Sequence, residues 1–165
     1  MGERSQSEVV QRALAVIDSG NTLEGLMLLE GAPSLWEIPV VSSYLAYCIA
    51  KERGQYREAI RVCQSALTIE PHNPALYLNL GRIFRASKHN GEAFAAFQQG
   101  LSKDAVTVTS AFAASPADEQ ARQRALIQTE LRRMGIRKRV PFPFLPRGHW
   151  LNRGVGKALS MLNLR

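Results

Sequence analysis

The 165-residue sequence predicts an all-α fold, an α-solenoid of about three stacked helix pairs followed by a C-terminal capping helix and a Pro-rich basic tail. Three observations indicate this class. A pattern of residues recurs every 34 positions, each recurrence has the length and the end signals of two short helices, and basic residues are concentrated where the period has ended. At 45% hydrophobic residues, the chain has enough apolar surface for a packed core.

The 34-residue interval holds without a gap for a glutamate followed by a small residue. These two residues recur at 24–25, 58–59 and 92–93. Helices in a hairpin approach closely only where side chains are small, and each pair leaves an apolar face for the next pair to bury. The period therefore predicts a repeat region over 1–105, with units that start near residues 6, 40 and 74.

Local signals mark the ends of the helices. Asn73 is a good N-cap before Pro74, which suits a first helical turn. Gly20 and Gly54 fall between the two helices of a pair, where glycine adopts a left-handed backbone at little cost. The predicted helices of the repeats cover residues 6–18, 22–30, 40–52, 56–69, 74–87 and 90–102.

The third unit carries the most specific residues. Tyr77 occupies a large aromatic position, Leu80 and Gly81 form a Leu-Gly pair, and Ala93 and Phe97 follow on the second helix. This pattern resembles the tetratricopeptide repeat family, and the resemblance extends over the three units. It implies a right-handed α-solenoid that serves as a non-catalytic scaffold and binds other proteins.

A further helix is expected after the last repeat. Ser115 and Pro116 form a strong helix start, and Gly135 suits a helix end after Met134. We assign residues 106–135 to a linker and a capping helix. Apolar residues on one side of that helix would cover the last repeat: Ala121, Leu126, Ile127, Leu131 and Met134.

The tail, residues 136–165, differs in composition from the repeats. Residues 132–165 hold nine Lys/Arg and no Asp or Glu, whereas residues 1–131 hold 12 basic and 14 acidic residues. Alternating prolines exclude a helix near 141–146, and a short helix is possible towards the end. We expect its large apolar residues to pack on the protein itself, in the groove or at its far end: Phe142, Phe144, Leu145 and Trp150.

The family resemblance implies that the binding surface is a concave groove lined by the first helix of each pair. The residues that the register places there are Val10, Leu14, Ile17, Val41, Tyr44, Lys51, Leu78, Asn79, Arg82 and Arg85. They predict an apolar groove with a basic edge, which binds an apolar segment of a partner protein. Packing between repeats is the alternative role for each apolar member. The alternative function is peripheral binding of an anionic membrane surface or nucleic acid through the basic tail.

No pattern indicates catalysis. The three histidines are scattered and lack spaced partners for a metal, so we expect no catalytic residue, no metal and no cofactor. Cys48 and Cys63 are expected in the core. The polar N-terminus and the lack of a long apolar run predict a soluble, unprocessed, cytoplasmic protein. The sequence identifies neither the partner nor an oligomeric state.

Overall fold

Three antiparallel helix pairs follow one another along the chain, and a seventh helix packs on them. The computed structural model describes residues 2–103 and 116–135. Within these ranges every regular element is helical, which confirms the all-α prediction. The α-helices are α1 (Gly2–Ser19), α2 (Thr22–Glu30), α3 (Pro39–Arg53), α4 (Tyr56–Ile69), α5 (Pro74–Ala86), α6 (Asn90–Ser102) and α7 (Pro116–Arg133).

The predicted ranges of α2, α4 and α6 agree with the structure to the residue. The differences lie at helix ends. Helix α3 begins one residue early because Pro39 takes the first helical position, where its missing N–H costs nothing. A short 3₁₀ turn at Pro33–Leu35, which was not predicted, leads from the first pair into the second. No helix of the described chain is both long enough and apolar enough to cross a membrane.

Small residues set the spacing of the paired helices, as the period predicts. Gly81 on α5 faces the ring of Phe97 on α6, and a Cβ atom at Gly81 would overlap that ring. Gly25 on α2 lies against Ile17 in the same manner. The core contains fully buried large residues from all three pairs: Ile17, Leu29, Val41, Tyr44, Leu76, Leu78, Ile83 and Phe97.

The contacts divide the chain into two units, Met1–Arg133 and Met134–Arg165. The seven helices belong to the first. Of the second, Met134 and Gly135 are described, so the expected tail contacts of Phe142, Phe144, Leu145 and Trp150 lie outside the described residues.

Each pair turns through a left-handed residue at the same position of the period. The φ angles are +108° at Gly20, +71° at Gly54 and +66° at Lys88. After Lys88, the His89 N–H donates to the Phe84 carbonyl at 2.8 Å, which closes the end of α5. The left-handed conformation is less stable for lysine than for glycine, because the lysine Cβ crowds the following carbonyl oxygen.

We therefore expect Lys88→Gly to raise the free energy of unfolding by about 0.5–1 kcal/mol, the strain relieved less the extra freedom that glycine gains in the unfolded chain. The matched control is Gly54→Lys, where a Cβ would meet no other atom within 4 Å, so the backbone alone is tested. Urea denaturation should show the two changes moving the midpoint in opposite directions. Equal shifts would contradict this account.

Candidate functional site

Helix α7 packs on α5 and α6, and its side chains reach the first helices of the other two pairs. Arg122 Nη2 donates to Asp18 Oδ2 at 2.9 Å, and Gln123 Nε2 donates to the Tyr44 hydroxyl at 3.1 Å. Glu130 lies 3.5 Å from Arg82 Nε. Helix α7 thus reaches side chains of α1, α3 and α5. We call these side chains of Asp18, Tyr44, Arg82 and Arg85 the first-helix face.

An ion pair lies at the centre of this face. Arg82 Nη1 donates to Asp18 Oδ1 at 2.8 Å, and both side chains are only 4% exposed. The Tyr44 hydroxyl donates to the other Asp18 oxygen at 3.0 Å. One carboxylate at the end of α1 therefore joins side chains of α3, α5 and α7.

Arg82 also faces the second buried carboxylate. Glu130 is 5% exposed and lies 2.9 Å from Arg85 Nη1, as well as near Arg82. The Arg82 guanidinium stacks over the Tyr47 ring, with Cζ 5.3 Å from the ring centroid. Two carboxylates and an aromatic face thus compensate the desolvation of this cation.

The polar network continues into the repeats through Asn79. Its Nδ2 donates to Ser43 Oγ at 3.0 Å, and its Oδ1 accepts from Arg82 Nη1 at 3.5 Å. Asn79 is fully buried. It therefore orients the arginine and ties α5 to α3, and in this structure it is not available to a peptide backbone.

The charges of the face keep the protonation states that these bonds need. Burial alone would lower the pKa of Arg82, but the negative charge of Asp18 and the hydrogen bond to it outweigh burial and leave the pKa raised. Burial, and next the charge of Asp18, raise the pKa of Tyr44. Arg82 accordingly stays charged, and the Tyr44 hydroxyl keeps the proton that it donates.

The structure differs from the expected open apolar groove. Eight of the ten predicted residues are buried: Val10, Leu14, Ile17, Val41, Tyr44, Leu78, Asn79 and Arg82. The apolar members lie in the repeat core, which is the alternative role that the sequence left open. Arg82 was expected at a basic edge, but the carboxylates of α1 and α7 enclose it. Lys51 is exposed, and the Arg85 side chain is 33% exposed.

Helix α7 contributes few apolar contacts. Of the five residues predicted for its inner side, Ile127 and Leu131 are buried, Leu126 and Met134 are half-buried, and Ala121 is exposed. Gly100 on α6 admits Ile127, because a Cβ at Gly100 would lie 2.8 Å from Ile127 Cδ1. Two such side chains stabilise docking by about 1.5–3 kcal/mol each, so the polar contacts matter for the position of α7.

Sequence reasoning missed Asp18, Arg122, Gln123 and Glu130 as residues of this face. A signal was present. Gln123 lies one turn before Ile127 and Glu130 one turn after it, on the side of α7 that was predicted to be apolar. Polar residues on a side that must be buried indicate partners on the surface beneath.

The groups of the face interact through charge and hydrogen bonds. Across residues 2–103 and 116–135, no group of three or more His, Cys, Asp or Glu side chains is placed to hold a metal ion.

Paired helices stacked in series, with a further helix across one side, define a helical-repeat protein. Residues 50–115 match the model of the tetratricopeptide repeat family. This match supports the resemblance to that family drawn from the 34-residue period. Such repeats generally mediate interactions between proteins, and the family is generally a non-catalytic scaffold. No curated protein and no solved structure matches the chain.

Because two buried carboxylates face it, we expect Arg82→Ala to lower the free energy of unfolding by about 3–5 kcal/mol. The control is Arg61→Ala, which removes an exposed arginine paired with Glu58 and should change stability by less than about 1 kcal/mol. Urea denaturation measures both. Similar losses in the two variants would show that Arg82 is not central to the fold.

The two thiols are buried, as expected. Burial, followed by the charge of Glu52, raises the pKa of Cys48 from 9.0 to about 12. Burial raises the pKa of Cys63 to about 12 as well. The folded state therefore binds the thiol protons more tightly than the unfolded state. The resulting stabilisation is present below about pH 9 and is lost as the pH rises towards 12.

At pH 8 we expect both thiols to react with a disulfide reagent only when the chain opens, at least about a hundredfold more slowly than in 6 M urea. A colorimetric thiol assay follows the reaction, with free cysteine as the control for the reagent. Prompt reaction of either thiol in the native protein would contradict the burial.

Proposed function

We propose that the chain is a non-catalytic protein-interaction module that binds a segment of a partner protein on the first-helix face. The observation that carries the proposal is that this face already binds a helix, α7, through side chains of α1, α3 and α5. Tetratricopeptide repeats in general mediate interactions between proteins. A face that has the groups to hold one helix has the groups to hold a similar segment of another chain.

The chemistry of the face refines the kind of ligand. The sequence predicted an apolar segment, but the apolar residues named for the groove lie in the repeat core. The groups directed to a ligand are the Asp18 carboxylate, the Tyr44 hydroxyl and the guanidinium groups of Arg82 and Arg85. We therefore propose a ligand that combines charged groups with a few apolar side chains.

Arg85 of the face and the nearby Lys51 form a cationic edge that is accessible while α7 is bound. Lys51 is exposed at the end of α3, with Nζ 3.4 Å from the Gly20 carbonyl. Arg85 is partly exposed beside Glu130. These two cations favour a partner with acidic residues next to the segment that binds.

The basic tail supports a second candidate function. Nine Lys/Arg without an acidic residue in 132–165 favour contact with an anionic membrane surface or nucleic acid. The tail contacts proposed for Phe142, Phe144, Leu145 and Trp150 would instead direct this segment to the protein itself. Strong binding to anionic vesicles or to nucleic acid at low salt would favour the candidate.

Site-specific photocrosslinking in the native cell tests the interaction on this face. We expect a crosslinking residue at Arg85 to give a discrete adduct with a partner protein, because Arg85 borders the face and is partly exposed. The matched control places the same crosslinking residue at Arg61. Arg61 is exposed on α4, the second helix of the second pair, and is not part of the first-helix face. Adducts from Arg61 alone, or from neither position, would contradict the proposed surface.

A further inference from the structure

We infer that α7 is a displaceable internal ligand of the first-helix face, and that the partner replaces it with an amphipathic helix of the same chemistry. That helix carries an arginine and a glutamate eight positions apart, as Arg122 and Glu130 are, with an aliphatic residue between them. The inference rests on the proposed function and names the class of partner.

The charges of the interface are arranged so that α7 can leave. On the repeat side, Asp18 stays paired with Arg82 at 2.8 Å after separation. On the α7 side, Arg122 has Glu119 at 3.0 Å. Glu130 has Arg133 at 3.5 Å on the same helix.

Both surfaces can therefore exist apart without an isolated buried charge, which is the main penalty for opening an ionic interface. A helix that is a permanent part of a core is commonly held by apolar surface instead.

The docked state also has an imperfection. Gln123 Oε1 is buried and has no hydrogen-bond partner among the described residues, although Nε2 of the same amide donates to Tyr44. An unsatisfied buried acceptor lowers the stability of the state that contains it. Within residues 118–133 of α7, Ile127 and Leu131 are the two apolar residues that are buried. Opening of α7 should therefore require much less free energy than opening of the repeats.

The connection to α6 is long enough for displacement. Helix α6 ends at Ser102, and α7 begins at Pro116. The twelve residues 104–115 span at most about 40 Å when extended, so α7 can leave the face while α6 stays in place. The same tether holds α7 at a high effective concentration, which a partner must overcome.

The groups of the face specify what a competing helix must offer. Asp18 Oδ2 accepts from a guanidinium, as it does from Arg122. Arg82 and Arg85 take a carboxylate, as they do from Glu130. Gly100 leaves room on α6 for one aliphatic side chain. A helix with the reverse charges would place carboxylate against carboxylate and would be excluded.

The test uses the full chain and a fluorescent peptide of residues 116–135. In the wild-type protein, the peptide competes with the tethered α7 and binds weakly. Arg122→Ala in the protein weakens the internal helix but leaves the face intact, so the peptide should bind about tenfold more tightly. The matched control is Arg132→Ala, which removes the same charge from an exposed position on α7 and should leave the affinity unchanged.

The peptide with Arg122→Glu should lose at least about tenfold in affinity for the Arg122→Ala protein. Hydrogen exchange on the wild-type chain gives a second measurement: amides of α7 should exchange much faster than those of α5. Equal peptide affinity in all three proteins would overturn the inference. Equal protection of α7 and α5, or loss of protection in α5 on Arg122→Ala, would overturn it too, because α7 would then unfold only with the repeats.

These outcomes are separate from those for the proposed function. A partner crosslinked at Arg85 together with a failed peptide experiment would keep the interaction surface and overturn the displacement of α7.

Discussion

The arrangement of the first-helix face depends on one guanidinium group, that of Arg82, held between two buried carboxylates from opposite ends of the chain. Asp18 lies in the last turn of α1, and Glu130 lies in the last turn of α7. A cation in this place is tolerated because both carboxylates and the Tyr47 ring replace the water that it loses. Helices that are far apart in the sequence are in this way brought to one point.

The network adds specificity to a scaffold that small and large apolar residues already stabilise. Between pairs, the stacked core contributes a non-directional stabilisation that several neighbouring arrangements would share. Buried ion pairs and hydrogen bonds are directional, and we expect them to select one arrangement of α1, α3 and α5. Asn79 donates to Ser43 and accepts from Arg82, and Tyr44 donates to Asp18 and accepts from Gln123.

The same polar chemistry supports the proposed interaction on this face. An apolar groove left open by an internal helix would be exposed to water and prone to association. A face of mutually paired charges would tolerate the proposed release of α7, because water or a ligand could satisfy the groups that α7 leaves. Affinity then depends on how well a ligand matches the pattern of charges, which favours discrimination between partners.

The sequence by itself determined the repeat, its helices and the turns between them. These depend on local signals, such as Asn73 before Pro74. The small residues Gly25, Ala59 and Ala93 recur because the two helices of every pair must approach closely at the same position. Even the left-handed turn at Lys88 lies where the period puts it.

The tertiary structure alone decided which side of the repeats α7 covers, and therefore that Arg82 and Asn79 are buried. The physical reason is the spacing of three residues. Asp18 lies 64 positions before Arg82, and Glu130 lies 48 positions after it. Neither separation is a multiple of the 34-residue period, so the repeat does not predict that these residues meet. A unique ion pair of this kind is determined by three-dimensional proximity, which residue spacing does not encode.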